Sequence, residues 1–288
     1  MTPIVRRISQ ATAAVVALAI AVPVHAQGNS GGKGHKSSPP SSSSLPSPAV
    51  GPASGASPLA WLDDASLLAP GSMSLTVSAV RWSGTDLAET DFPVVNAAVG
   101  LTPRFQISAS VPRVVGSADG TGPVGGMGTS YFSTKIALLT GASGVKLAVS
   151  PMIEILGEGA VQALSAGESR TQFGVPISLE VSQGVARVFA STGFFSRGAW
   201  FAGGGVGVQA TPRVGVSTSF TRSWGGPDAS GAARDRRELS GGVAYFVTPR
   251  LGVYGSIGHT IATTDDNGAG ATIGAGVTFL IASASPSR

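Results

Sequence analysis

The stretch AWFAGGGVGVQATPRVGVSTSFTRSW, residues 199–224, holds two runs in which apolar residues alternate with small or polar residues. Alternation with a period of two places successive side chains on opposite faces of a β-strand. Only Thr211, Pro212 and Arg213 join the two runs. Proline presets the backbone for the second position of a tight turn and has no N–H to lose there. The stretch therefore predicts a β-hairpin with one apolar face.

The same three-residue sequence joins alternating runs at two other places in the chain. Its copies are Thr102, Pro103 and Arg104; Thr211, Pro212 and Arg213; and Thr248, Pro249 and Arg250. Two further joints, TGASG at 140–144 and SQG at 182–184, are equally short. These joints predict five tight turns, all at one end of the strands that they connect.

Twelve alternating runs follow one another from residue 72 onward. They lie near 72–82, 93–101, 105–113, 129–139, 144–155, 171–182, 185–195, 199–210, 214–224, 236–246, 251–260 and 270–280. Most are about 10 residues long, which is the length of a tilted strand that crosses a bilayer. The short joints alternate with six others, at 83–92, 114–128, 156–170, 196–198, 225–235 and 261–269, of which only 196–198 is short.

These joints fix the number of strands in a closed barrel. A closed barrel of n antiparallel strands with both ends on one side has n/2 loops on the far side and n/2 − 1 turns on the near side. Six loops and five turns both give twelve strands. We therefore predict an all-β fold, a closed antiparallel up-and-down transmembrane β-barrel of about twelve strands over residues 72–281.

The residues outside the barrel have a different composition. Arg6 and Arg7, the apolar stretch 11–24 and the small-x-small site before Gln27 predict a signal peptide over 1–26; an uncleaved membrane helix is the alternative. Residues 27–58 are rich in Ser, Pro and Gly and are predicted to be disordered, since they cannot bury enough apolar surface. Residues 282–288 form a C-terminal tail.

The short pre-barrel segment 59–71 contains LAWLDDASLLAP and permits two interpretations. Leu59, Trp61, Leu62 and Leu67 could line a short helix that caps the barrel and leads into its first strand. The same segment could instead form a small plug inside a pore. We favour the capping turn.

The pattern of the strands favours a membrane barrel over a soluble one. Lipid offers no hydrogen bonds to the backbone, so only helices and closed barrels span it. The outward face of such a barrel is apolar and its inward face is polar or small, which is the pattern found here. Trp82, Trp200 and Trp224 each lie where a strand meets an outer joint, and they predict an aromatic girdle at the outer interface.

With its signal peptide, its alternating strands of about 10 residues and its last strand carrying Phe279, the sequence resembles the bacterial outer-membrane β-barrel superfamily. The resemblance covers about residues 72–280 and is greatest to the small twelve-stranded channel or putative transporter type. It implies a location in the outer membrane of a Gram-negative-type bacterium, with the Thr-Pro-Arg turns on the periplasmic side and with the lipid bilayer and the barrel-insertion machinery as partners. Such chains usually end on an aromatic residue, whereas nine residues follow Phe279 here.

Five charged residues lie on the predicted inward face of four consecutive strands: Lys135, Lys146, Glu154, Glu180 and Arg187. Charges at membrane depth are costly unless they face water or one another. Glu180 and Arg187 flank the turn near residue 183, so we expect them to pair across the hairpin. The cluster is either a charged constriction that sets the solute preference of a pore, or a set of ion pairs that stabilises a largely closed lumen.

The remaining composition argues against other kinds of chemistry. The chain has no cysteine, so it has neither a disulfide nor a thiolate metal site. Its formal charge of +4 is small and its positive residues are not clustered, so we expect no nucleic-acid partner. His259 has no serine at the spacing used by the twelve-stranded phospholipases, and Asp265, Asp266 and Asn267 supply too few oxygens for a metal site on one loop. We expect neither catalytic residues nor a cofactor.

Three functions remain for a barrel of this kind. The first is passive transport of small solutes through the lumen. The second is a structural or surface-interaction role in which the outer loops bind a partner. The third is secretion of an N-terminal passenger, which we rank last because only residues 27–71 precede the barrel.

Overall fold

The computed structural model of the protein describes residues 64–84, 88–119, 122–123, 125–141, 144–157, 169–196, 198–227, 233–264 and 268–281. In this part of the chain the predicted fold is confirmed, a closed antiparallel barrel of twelve strands. The strands are β1 Met73–Ser83, β2 Ala88–Thr102, β3 Phe105–Asp119, β4 Ser130–Thr140, β5 Val145–Val149 with Met152–Ile155, β6 Thr171–Gly174 with Ile177–Gln183, β7 Ala186–Phe194, β8 Trp200–Thr211, β9 Val214–Pro227, β10 Ala233–Thr248, β11 Leu251–Thr263 and β12 Ala271–Ile281. Two short pieces, Gly122–Pro123 and Gly126–Met127, pair with β3 beyond the barrel wall.

Strands β5 and β6 are each interrupted once, next to a proline. Pro151 and Pro176 have no N–H to donate to a neighbouring strand. Pairing nevertheless continues across both breaks, because Thr134 N donates to Pro151 O at 3.0 Å and Ser150 N donates to Pro176 O at 2.8 Å. Each interrupted pair of segments is therefore one strand of the barrel wall.

The barrel closes between its first and last strands. β1 pairs antiparallel with β12 along its whole length, from Met73 opposite Ile281 to Ser83 opposite Ala271. The other neighbours along the wall are consecutive in sequence, from β1–β2 to β11–β12. Closure pairs the outer edges of β1 and β12 with each other, as a lipid environment requires.

The three Thr-Pro-Arg sequences form turns of the same kind. Each threonine is the last residue of its strand, and its hydroxyl accepts a hydrogen bond at 3.2 Å from the backbone N–H of the arginine two residues later. The threonine thereby mimics a backbone acceptor inside the turn, while proline supplies the required dihedral angle. The turn at 184–185 is equally short and uses Gly184, whose φ of 58° favours glycine.

The strands extend further towards the loops than the sequence predicts. β2 begins at Ala88 and β10 at Ala233, within residues predicted to be loop. The joint between β1 and β2 therefore contains only residues 84–87, and the joint between β9 and β10 only residues 228–232. Polar residues such as Glu89, Thr90 and Asp235 favour loop in the sequence, although they pair with Trp82, Arg81 and Trp224 of the neighbouring strands.

Burial follows the predicted alternation of faces. On β6, Ile177 and Leu179 are 45% and 40% exposed, whereas Ser178 and Glu180 are buried. Similarly exposed apolar residues occur on the other strands, among them Ile107, Phe132, Val216, Leu239, Val243, Ile257, Ile273 and Phe279. The outward face is therefore apolar around the barrel, as a lipid-facing surface requires.

The inward face of β7 and β8 differs from the prediction that it is polar or small. Phe189 and Phe201 point inward and, with Phe195 beyond β7, are no more than 4% exposed. Each ring lies against a glycine of a neighbouring strand, and a Cβ placed on Gly205 would lie 2.6 Å from Cζ of Phe189. The glycines make room for the rings, so this side of the lumen is filled with apolar side chains.

No helix in the described part of the chain is both long enough and apolar enough to span a bilayer.

Candidate lumen site

Four of the five predicted lumen charges lie near the end of the barrel that carries the tight turns. Lys135, Lys146, Glu180 and Arg187 project inward from β4, β5, β6 and β7. Lys146 and Arg187 are each the second residue of their strand, and Glu180 lies directly opposite Lys146. Lys135, Glu180 and Arg187 are 3%, 2% and 7% exposed. We call this group the basic wall.

Residues 64–72, here called the lumen segment, lie against the inner surface of the barrel. Gly71 N donates to Gly100 O on β2 at 2.7 Å, and Leu68 N donates to the Gln106 side chain on β3 at 2.8 Å. Further towards its N-terminus the segment meets the basic wall on β4 to β7. It therefore passes six consecutive strands in order. Residues 64–71 of the pre-barrel segment lie against the inner surface, as the plug interpretation expects, whereas Leu59, Trp61 and Leu62 of the predicted capping turn lie outside the described residues.

Asp64 is the main contact of the lumen segment with the basic wall. Arg187 Nη1 donates to Asp64 Oδ2 at 2.7 Å. Lys135 Nζ donates to the backbone oxygens of Asp64 and Ser66, at 3.0 and 3.2 Å, and lies 3.9 Å from Asp64 Oδ1. The Asp64 side chain is 12% exposed, so these contacts are largely shielded from bulk water.

The Ser66 hydroxyl bridges two charges of opposite sign. It accepts a hydrogen bond from Lys146 Nζ at 2.8 Å and donates one to Glu180 Oε2 at 2.7 Å. Lys146 Nζ also donates to Glu180 Oε1 at 2.9 Å, as does the Ser182 hydroxyl. Glu180 is thus satisfied by three donors, although it is almost fully buried.

The expected ion pair between Glu180 and Arg187 is not formed. Arg187 lies opposite Ser182, and Glu180 lies opposite Phe189, so the two charges are not direct cross-strand neighbours. Each has a nearer partner, Lys146 for Glu180 and Asp64 for Arg187. The prediction was wrong because it considered only one hairpin and left out the lumen segment.

Glu154, the fifth predicted charge, lies nearer the loop end of the lumen. It is 5% exposed and stands opposite Tyr131 on β4 and Gln172 on β6. The Gln172 amide donates to its carboxylate. The structure therefore separates Glu154 from the basic wall by position along the strand.

A cavity of about 350 Å³ remains in the lumen beside the lumen segment. Asp64, Ser66, Leu67 and Leu68 form one side of it. The rest of the lining combines apolar residues, such as Val80, Val94 and Met152, with hydroxyl and amide side chains, which are Ser74, Thr76, Ser78, Asn96, Gln106, Ser108, Ser110, Tyr131, Ser133, Ser150, Tyr254 and Thr278. Pro249 and Arg250 also line the cavity, which places it at the turn end of the barrel.

The three tryptophans of the predicted girdle do not share one face. Trp200 lies opposite Trp224 on the outward face and is 47% exposed. Trp82 lies opposite Thr272, which is 6% exposed, and therefore faces the lumen. There the Arg236 guanidinium carbon lies 5.3 Å from the centre of its ring. A girdle formed by Trp200 and Trp224 stays a prediction, whereas Trp82 belongs to the inner surface.

Arg236 and Trp82 are part of a polar group at the loop end of the lumen. Arg236 Nε donates to Glu238 Oε1 at 2.7 Å, and its Nη2 donates to the Thr260 hydroxyl at 2.8 Å. Glu238 and Thr260 are 4% and 1% exposed. Sequence reasoning missed this group, although the alternation that places Thr76 and Ser78 inward also places Trp82 inward.

The described histidine and carboxylate side chains form no catalytic or metal-binding cluster. His259 is exposed and lies opposite Leu239, which is on the outward face. The described residues include no group of three or more side chains suited to a metal ion. Asp265, Asp266 and Asn267 lie outside the described residues, as do the predicted signal peptide, the Ser/Pro/Gly-rich segment and the C-terminal tail.

No protein-family model matches the sequence, and no curated protein is detectably similar to it. Among solved structures, the chain is similar to an outer membrane channel from Pseudomonas putida F1, with 13% identity, a TM-score of 0.60, and coverage of 76% of this chain and 98% of that chain. It is also similar to the NanC porin, with 13% identity, a TM-score of 0.52, and coverage of 71% and 98%. The protein thus shares the β-barrel fold of these two structures.

Proposed function

We propose that the protein is a passive channel for small solutes in the outer membrane. The observation that carries this proposal is a cavity of about 350 Å³, with many hydroxyl and amide side chains in its lining, inside a closed barrel with an apolar outer surface. Water and hydroxylated solutes can exchange hydrogen bonds with such a lining, whereas an apolar core would exclude them. The two solved structures of similar fold carry the names porin and outer membrane channel, which agrees with this function.

The proposal includes a route to the membrane and an orientation in it. The N-terminal signal peptide over 1–26 directs export, and the barrel-insertion machinery then places the barrel in the lipid bilayer. The Thr-Pro-Arg turns face the periplasm.

Because the chain has no cysteine, a single cysteine introduced at Arg213 or at Gly231 reports which side of the membrane that residue is on. In intact cells we expect an impermeant thiol reagent to label Gly231→Cys and to leave Arg213→Cys unlabelled; the reverse pattern would mean that the orientation is inverted.

Conductance of the purified barrel in planar bilayers tests the channel function. Stepwise ion currents are expected from the folded protein and not from a boiled sample. The second candidate is a structural or surface-interaction barrel, which the filled side of the lumen at Phe189, Phe195 and Phe201 favours. A correctly folded barrel that carries no current would support this second function and overturn the first.

A further inference from the structure

We propose that the basic wall is a binding site for the carboxylate of a small hydroxylated solute, and that Asp64 and Ser66 occupy this site as an internal ligand. The inference rests on the proposed channel function, because a solute reaches the site through the lumen. It adds two things to that function: the chemical class of the solute, and a segment of the same chain that competes with the solute for the site.

Arg187 provides the carboxylate-binding half of the site. Its Nη1 contacts Asp64 at 2.7 Å, while its Nε is buried and has no hydrogen-bond partner among the described residues. A guanidinium offers the parallel N–H groups of its Nη1 and Nη2 to one carboxylate, and Asp64 engages only Nη1. A free carboxylate that can approach from the lumen is able to use both.

The position of Arg187 is fixed independently of Asp64. Its guanidinium carbon lies 5.5 Å from the centre of the Phe189 ring, and the stem lies over Gly207 on β8. A Cβ on Gly207 would lie 2.9 Å from Arg187 Nε, so only glycine leaves this space open. The arginine is therefore held in place for an anion even when the lumen segment moves away.

Lys146 and Glu180 provide the hydroxyl-binding half. One donates to the Ser66 hydroxyl and the other accepts from it, at 2.8 and 2.7 Å. This pairing satisfies a group that is both donor and acceptor, which describes an alcohol and not a second carboxylate. The lumen segment thus offers a carboxylate and a hydroxyl two residues apart, and a hydroxylated acid carries the same two groups.

The charge of the wall explains why an anionic occupant is needed. Lys135, Lys146 and Arg187 carry three positive charges, against the single carboxylate of Glu180. An uncompensated charge in a poorly hydrated place is strongly penalised. Asp64 removes part of the excess in this structure, and a bound solute carboxylate can take over that role.

The lumen segment makes few buried apolar contacts, so it can move away from the basic wall. Ala65 is its one buried apolar side chain among the described residues, whereas Leu67 and Leu68 stay partly exposed to the cavity. Most of its anchoring comes from polar contacts, which a solute of matching chemistry can replace one for one. A segment with few buried apolar contacts opens at low free-energy cost.

Calorimetric binding of gluconate to the full-length barrel in detergent tests the site directly. Hexanoate, with the same carboxylate and no hydroxyl, and glucose, with no carboxylate, are the comparison ligands. Asp64→Asn keeps the shape of the side chain and removes its charge, so it weakens the internal ligand. We expect gluconate to bind this variant about tenfold more tightly than the wild type, since a competitor that fills the site lowers the apparent affinity. Hexanoate is expected to bind more weakly, and glucose not to bind.

Further variants distinguish the contribution of Arg187 in the basic wall from that of Asp64 and Ser66 in the lumen segment. Adding Arg187→Gln to Asp64→Asn is expected to abolish gluconate binding, while adding Arg213→Gln, which removes an exposed turn arginine, is expected to leave it unchanged. Ser66→Ala provides a second, neutral way to weaken the internal ligand, and heat-dependent gel migration confirms that each variant is folded. Equal gluconate affinity in the wild type and both segment variants, or binding that survives Arg187→Gln, overturns the proposal.

Bilayer conductance of the same preparations keeps the two proposals distinguishable. If no folded variant carries current, the channel function fails, and the calorimetric result still decides whether the anion site exists. If current flows but gluconate affinity does not respond to Asp64 or Arg187, the channel stands and the internal-ligand proposal fails.

Discussion

At the scale of single residues, the filled side of the lumen depends on glycines that face large side chains. Gly205 lies opposite Phe189, and Gly207 lies opposite Arg187, so each large inward group covers a residue without a side chain. A glycine weakens a strand by itself, and a ring laid over it restores packing. The glycines of β8 are therefore partners of specific side chains on β7.

Gly205→Ala tests this pairing. The added Cβ would lie 2.4 Å from Thr218 O and 2.6 Å from Cζ of Phe189, so ring or backbone must move. We expect a loss of about 1–3 kcal/mol in the free energy of unfolding, as is typical of overpacking. Urea unfolding of the barrel in lipid vesicles measures it. Gly255→Ala is the control, because its nearest neighbour would be 3.9 Å away; equal midpoints for the two variants would show that Phe189 does not rest on Gly205.

The sequence predicts the alternation that places Gly205 inward, but not the side chain that covers it. The face on which a side chain lies alternates along one strand with a period of two, and this local pattern correctly predicts that Glu180 faces inward. The partner of a glycine depends on the register between two strands, which adjacent sequence does not specify. Phe189 was therefore missed as a lumen-filling residue.

At the scale of elements, the Thr-Pro-Arg turns differ in one detail. Thr211 Oγ1 accepts hydrogen bonds from both Arg213 N and Val214 N, at 3.2 and 3.0 Å, whereas Thr102 and Thr248 each accept the one from their arginine. We expect Thr211→Val to lower the unfolding free energy more than Thr102→Val does, by about 0.5–1.5 kcal/mol for the additional bond. Unfolding midpoints measure the difference. Thr211→Ser retains the hydroxyl and should stay close to the wild type; a loss as large as that of valine would trace the effect to the methyl group instead.

The lumen segment is the element that sequence reasoning placed least well. Its anchors are far away along the chain: Arg187 is 123 positions after Asp64, and Glu180 is 114 positions after Ser66. Local patterns predict turns and strand faces, because these depend on neighbours in sequence. They cannot show which distant charge an aspartate meets, so the capping turn and the plug both fitted the residues 59–71.

Gly100→Ala tests whether the position of the lumen segment against β2 restricts the pore, and it changes no charge. A Cβ on Gly100 would lie 2.4 Å from Ala69 O and 2.5 Å from Leu68 O, both of which are backbone atoms. The segment must therefore shift, and we expect a larger single-channel conductance than that of the wild type. Gly215→Ala is the control, since it adds the same methyl group at 3.6 Å from its nearest neighbour. Unchanged conductance in Gly100→Ala would mean that the segment does not restrict the pore.

At the scale of the whole molecule, closure joins the first and last strands of the barrel. The alternating joints predicted it correctly, since five turns and six loops leave the two ends of the barrel side by side. The prediction succeeded because lipid offers no hydrogen bonds to an unpaired strand edge. A barrel that spans a membrane must therefore close, whatever the details of its loops. The β1–β12 pairing over Met73–Ser83 and Ala271–Ile281 is consequently as long as either strand.

A pair of cysteines tests this closure directly. Val77 lies opposite Val277 in the β1–β12 pairing, and directly opposed residues have Cβ atoms about 4.5–5.5 Å apart, which is close to the span of a disulfide. With no other cysteine in the chain, Val77→Cys with Val277→Cys should cross-link when the folded barrel is oxidised. The boiled, unreduced chain should then migrate faster than the reduced one, because the cross-link closes a long loop. Val77→Cys with Val253→Cys is the control: Val253 lies opposite Val277 on the far side of β12, about 10 Å from Val77. Cross-linking of the control pair, or of neither pair, would show that β1 and β12 do not pair as neighbours.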